Sequence, residues 1–131
     1  MDHPRGRVAI VEDDALVASL LEETLESAGY EVVGKAASAG DAISLIGRHR
    51  PDLALLDIRL LGRRNGVDVA QEVTQRFGTG VIFETSESNP VVRGQAELTR
   101  PFAWLTKPFK PKELLAAVDA AMDDIHMRTH H

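Results

Sequence analysis

Arg7-Val8-Ala9-Ile10-Val11-Glu12-Asp13-Asp14 decides the fold. Four apolar residues in an unbroken run, closed by three acids, suit a strand buried on both faces, the kind found in parallel sheets. Downstream of the acids the period changes. Leu16, Val17, Leu20, Leu21, Leu25 and Ala28 recur at steps of three and four with Glu22, Glu23 and Glu26 between them, which predicts an amphipathic helix that Gly29 can stop. Asp13 or Asp14 can cap that helix.

The same alternation repeats along the chain. Val32-Val33 begin a second strand, and Ser38 can cap a helix carrying Ala42, Ile43, Leu45 and Ile46. Pro51 marks a turn before Leu53-Ala54-Leu55-Leu56, a third strand ending at Asp57. A loop from Gly62 to Gly66 leads to a helix with Val67, Val69, Ala70 and Val73, then Gly80-Val81-Ile82-Phe83 as strand four. Residues 88 to 100 read as a helix weakened by Pro90 and Gly94. Phe102-Ala103-Trp104-Leu105 forms strand five, and Pro111 opens a last helix through Ile125. Strict alternation predicts an α/β fold with a parallel sheet wound on both faces. Such sheets bind ligands at the carboxyl ends of their strands, where this chain places Glu12-Asp13, Asp57, Thr85-Ser86 and Thr106-Lys107.

A length of 131 residues suits one domain, expected over 7–127 with flexible termini at 1–6 and 128–131. Hydrophobic residues at 44% and charged residues at 27% describe an ordinary globular chain. A formal net charge of −5 is the reverse of a nucleic-acid footprint, so no direct nucleic-acid partner is expected. Without cysteine there is neither a disulfide framework nor a thiolate site. No signal-peptide core or membrane-length apolar segment appears, and a cytoplasmic location is expected.

The motifs VAIVEDD, PDLALLD, VIFETS and WLTKPF, in order at successive strand ends, resemble the receiver domains of two-component response regulators. The resemblance spans Arg7 to about Ile125. It implies a flavodoxin-like five-stranded sheet in the order 2-1-3-4-5 and a stand-alone phosphorelay receiver. Asp57 resembles the phosphoacceptor that attacks a phosphohistidine, and Lys107 and Thr85 resemble the groups that meet the phosphoryl oxygens. A cluster of carboxylates repels itself unless a cation is present, and Mg²⁺ suits it: Asp13 and Asp57 are the expected direct ligands, Glu12 acts through water, and the resemblance adds the backbone carbonyl of Arg59. Thr85 and Trp104 are the expected switch pair, although Trp104 also fits a plain packing role.

The implied partners are a sensor histidine kinase or histidine phosphotransferase, and a downstream protein on the face of helix four, strand five and helix five. The resemblance implies no enzyme activity beyond the protein's own phosphorylation and dephosphorylation. Two other functions stand beside this one: a pseudo-receiver binding module that works without phosphorylation, and a Mg²⁺-dependent aspartyl-phosphate phosphatase. Arg59 and Glu87, each two residues past a site residue, could join in a salt bridge over the site. The loop IRLLGRRNG departs from the commonest receiver pattern, with Gly66 one residue later than usual. Arg59, Arg63 and Arg64 read as a solvated loop, and His126, His130 and His131 as a frayed tail.

Overall fold

The computed structural model describes residues 5–129. Its elements are β1 (Arg7–Val11), α1 (Ala15–Ser27), β2 (Glu31–Ala36), α2 (Ala39–His49), β3 (Leu53–Leu56), α3 (Gly66–Phe77), β4 (Gly80–Thr85), α4 (Pro90–Glu97), β5 (Ala103–Thr106) and α5 (Pro111–Thr129). The strands form one sheet in the order β2-β1-β3-β4-β5, all pairs parallel. This is the flavodoxin-like receiver topology expected from the motifs.

Two apolar layers cover the sheet because its side chains alternate by row. Val11, Leu56 and Phe83 lie in register with Trp104 and pack toward Ile43, Val69 and Ala96 of α2, α3 and α4. The neighbouring row, Ile10, Leu55 and Ile82, packs on the other face toward Leu21 and Leu25 of α1 and Leu114 and Val118 of α5. Central strands β1, β3 and β4 are therefore apolar on both sides, which is why their sequences read as continuous runs.

Local signals place the helices. Asp14, not Asp13, caps α1, accepting from the N–H groups of Leu16 at 3.0 Å and Val17 at 3.2 Å. Asp13 is thereby left for the site. Ser38 caps α2, and Asn65 and Asp68 form a reciprocal capping box at the start of α3. The weak segment forms a shorter helix than the expected 88–100: Asn89 caps it, Pro90 takes the first turn, and Arg100 beyond its end sits at a φ of 56°. Strand five begins one residue later than expected, and α5 runs past Ile125 to Thr129.

Arg5 and Gly6, grouped with the terminus in the sequence, are tied to the fold. The Arg5 N–H donates to the Gly29 carbonyl, its guanidinium pairs with Asp119 at 3.0 Å, and Gly6 is buried. Residues 1–4 and 130–131, including His3, His130 and His131, lie outside the described residues. No described helix is long and apolar enough to cross a membrane.

Candidate functional site

Parallel register brings the strand-end acids together. One residue beyond the apolar row Val11, Leu56 and Phe83 stand Glu12, Asp57 and Glu84, and Glu84 pairs in register with Leu105. The backbone continues the sheet for one more bond at this edge, with Asp57 N–H donating to the Val11 carbonyl and Glu12 N–H to the Ala36 carbonyl, both at 2.9 Å. Glu12, Asp13 and Asp57 offer carboxylate oxygens within 4.8 Å of one another, so the residues present fit a hard cation that takes oxygen ligands. Asp13 is exposed while Glu12 and Asp57 are buried, which leaves the cluster open on one side.

Lys107 closes the other side. Its Nζ lies 2.5 Å from Glu12 Oε1, 3.0 Å from Asp57 Oδ2 and 3.3 Å from Glu84 Oε2. Burial alone would lower the lysine's pKa; hydrogen bonds to Glu12 and Asp57 and the charge of Asp57 outweigh it and raise the value, so the ammonium stays charged. Burial raises the Glu12 pKa against the lowering effect of its bonds to Lys107 and the Asp14 N–H. The Lys107 N–H donates to the Thr85 carbonyl at 2.9 Å, so β4 positions the lysine at its backbone as well.

The loop after Asp57 is packed against it by a glycine. A Cβ on Gly66 would lie 2.0 Å from the Asp57 carbonyl oxygen and 2.8 Å from its carbonyl carbon, and the Gly66 N–H donates to Ile58 at 2.7 Å. The unusual loop is further held by Leu61, whose N–H donates to the Ala37 carbonyl. Thus a loop one residue longer still closes on the end of β3.

This arrangement of acids, lysine and hydroxyl at the carboxyl edge of a 2-1-3-4-5 sheet agrees with a sequence match to the response regulator receiver domain over residues 8–119. The chain belongs to that family. This receiver is 34% identical over 116 residues to the transcriptional regulatory protein PdtaR of Mycobacterium tuberculosis, a match covering 88% of this chain and 56% of PdtaR. The chain spans about half the length of that relative. Among solved structures, the receiver domain of a modulated diguanylate cyclase from Desulfovibrio desulfuricans superposes with a TM-score of 0.88 at 32% identity, covering 94% of this chain and 98% of the other. A CheY-like receiver from Methanospirillum hungatei gives 0.86 at 27% identity, with 93% and 97% covered.

The receiver's remaining expected residues take these places. Thr85 is buried at the end of β4, and its Oγ1 accepts from the Glu87 N–H at 3.1 Å, which leaves the hydroxyl hydrogen to donate elsewhere. Arg59 is exposed, its N–H donates to Asp57 Oδ1 at 3.4 Å, and among the described residues its carbonyl accepts no hydrogen bond. The salt bridge considered between Arg59 and Glu87 is absent among the described residues: the Glu87 carboxylate accepts from the N–H groups of Ser88 and Asn89 instead. Arg64 pairs with Glu72 at 3.6 Å across the loop and α3. Trp104 is half-buried, with its ring 5.6 Å from that of Phe83 and the Arg93 guanidinium of α4 4.3 Å above it.

Sequence reasoning gave Glu84 no role. The signal was present as a lone acid inside the apolar run Val81-Ile82-Phe83, but only the sheet register shows that it shares a row with Asp57.

Proposed function

We propose that this receiver accepts a phosphoryl group on Asp57 from a phosphohistidine, with Mg²⁺ bound, and signals through contacts with another protein. The observation that carries the reading is the convergence of Glu12, Asp13, Asp57 and Lys107 at one strand edge. An Asp57 oxygen attacks phosphorus, the bond to the imidazole nitrogen breaks, and the electron pair returns to the imidazole, which takes a proton from solvent. Lys107 is already within hydrogen-bonding distance of Asp57 and meets the charge on the transferring group as a fixed cation. The Thr85 hydroxyl hydrogen is the second donor. Asp13, Asp57 and the Arg59 carbonyl, with Glu12 through water, would hold Mg²⁺, which would neutralise charge on the phosphoryl oxygens.

The donor is a sensor histidine kinase or a histidine phosphotransferase in the cytoplasm. Leu16 and Leu20 of α1 stand exposed, and a groove of about 680 Å³ is lined by Leu20, Lys107 and Phe109. Exposed apolar surface next to a reactive carboxylate suits a docking protein partner. The output surface is α4, β5 and α5, where Trp104 links the site strand to Arg93. The receiver catalyses only its own phosphorylation and dephosphorylation.

Incubation with a small phosphodonor such as acetyl phosphate tests the reading. Stoichiometric, base-labile labelling is expected in Mg²⁺, with loss to background in Asp57→Ala and after chelation. Undiminished labelling of the alanine variant removes Asp57 from its role, and a parent that never labels favours the binding-module reading.

A further inference from the structure

Glu84 is fully buried within β4 and takes no part in the reaction described above. It lies one row beyond Ile82 on the face toward α1 and α5, and neither carboxyl oxygen has a hydrogen-bond partner among the described residues. Its one ion-pair contact is Lys107 at 3.3 Å. Burial, reinforced by the charge of Glu12, pushes its pKa up to about 9, so the carboxyl keeps its proton at neutral pH and meets Lys107 as a neutral group.

Lys107 donates to Glu12 and Asp57, and Glu84 Oε2 lies 3.3 Å from the same Nζ without a hydrogen bond. A phosphoryl group on Asp57 brings new oxygens to the same ammonium, and Lys107 has to turn toward them from its present contacts. Glu84 provides the longest of the three contacts and is fully buried, whereas Asp13 is exposed. We infer that Glu84 is a positioning residue that competes with the phosphoryl oxygens for Lys107 and so weakens the site's hold on the phosphorylated state. The inference rests on Asp57 being the acceptor. It also makes a paired demand that plain packing would not: an apolar residue at 84 removes a buried acid lacking hydrogen bonds, which raises stability, and removes the polar contact that holds Lys107 at β4, which tightens the site.

Titration calorimetry with Mg²⁺ alone, then with Mg²⁺ and beryllofluoride as the phosphoryl mimic, tests this in the full chain. Glu84→Leu and Glu84→Ala are expected to bind the mimic about threefold to tenfold more tightly than the parent, the size of one released polar contact. Their affinity for Mg²⁺ alone should equal the parent's. Glu84→Gln keeps an acceptor oxygen facing Lys107 and should match the parent in both titrations, while Glu84→Leu should melt above the parent. If the leucine variant fails to fold, the alanine and glutamine variants decide the question. Mimic affinity unchanged or weakened in the apolar variants, with the parent binding normally, overturns the competition and leaves the acceptor reading intact. A parent that binds no mimic overturns both.

Discussion

Two neighbouring rows of the sheet differ by one residue in register and by everything in chemistry. Val11, Leu56, Phe83 and Trp104 form an apolar row under α2, α3 and α4. The next row, Glu12, Asp57, Glu84 and Leu105, turns to the opposite face and holds three acids around one lysine. The first row gains free energy by burial, and the second spends part of it on buried charge. The difference teaches that a parallel sheet holds its reactive groups at fixed spacing because the row just inside is close-packed.

The largest expected effect breaks the apolar row. Phe83 is fully buried, and Phe83→Ala should lower unfolding free energy by about 3–5 kcal/mol in denaturant titrations. Asp57→Ala, one row on, removes one of three acids around a lysine that keeps two, and should change stability by less than about 1 kcal/mol while ending phosphorylation. Equal losses from both would erase the contrast.

Gly66→Ala attacks the join between the rows and the acceptor loop. Its Cβ would meet the Asp57 carbonyl at 2.0 Å, backbone that cannot rotate away. A stability loss of about 1–3 kcal/mol and slower labelling by acetyl phosphate are expected, measured by denaturation and by intact-mass time courses. Parent-like rates would show that the loop gives way without moving the acceptor.

The acidic row also has a pH signature. Glu84 faces Lys107, Glu12 and Asp57, and its pKa rises from the ordinary 4.5 to about 9 on folding. The folded state therefore holds a proton that the unfolded state releases between those values, so this group's contribution to stability is present below pH 4.5 and is lost as pH climbs to about 9. Glu84→Gln should flatten that decline in melting curves taken from pH 5 to pH 9, and curves that stay parallel to the parent's would argue that the carboxyl is ionised throughout.

The smallest effect is optical. Trp104 is the only tryptophan and is half-buried between Phe83 and Arg93. If phosphorylation draws Thr85 toward the site and Trp104 moves into the vacated space, beryllofluoride with Mg²⁺ should shift its emission to shorter wavelength. The shift should vanish in Asp57→Ala and shrink in Thr85→Ala. A constant spectrum alongside calorimetric binding of the mimic would discard the aromatic switch and keep the acceptor.

Strand identity was legible because the strands are short apolar runs, whereas the strand order 2-1-3-4-5 came from the resemblance to receivers. Asp57 and Lys107 were legible because they stand at strand ends within the motifs PDLALLD and WLTKPF that resemble receivers. Helix α4 was overestimated since Asn89 and Pro90 set its start and the chain turns at Arg100, features that apolar spacing does not encode. The choice between Asp13 and Asp14 as cap stayed open until backbone geometry settled it, because both follow the strand and either side chain suits a cap.

The sequence by itself determined that five strands alternate with five helices, that acids, hydroxyl and lysine fall at strand ends, and that the chain resembles receivers, since periodicity and strand-end chemistry are local properties. Only the tertiary structure decided that Glu84 joins Glu12 and Asp57 around Lys107, that Gly66 leaves no room beside Asp57, and that Trp104 lies between Phe83 and Arg93. These depend on register and on loop closure, which bring together residues far apart in the chain at distances no linear pattern contains.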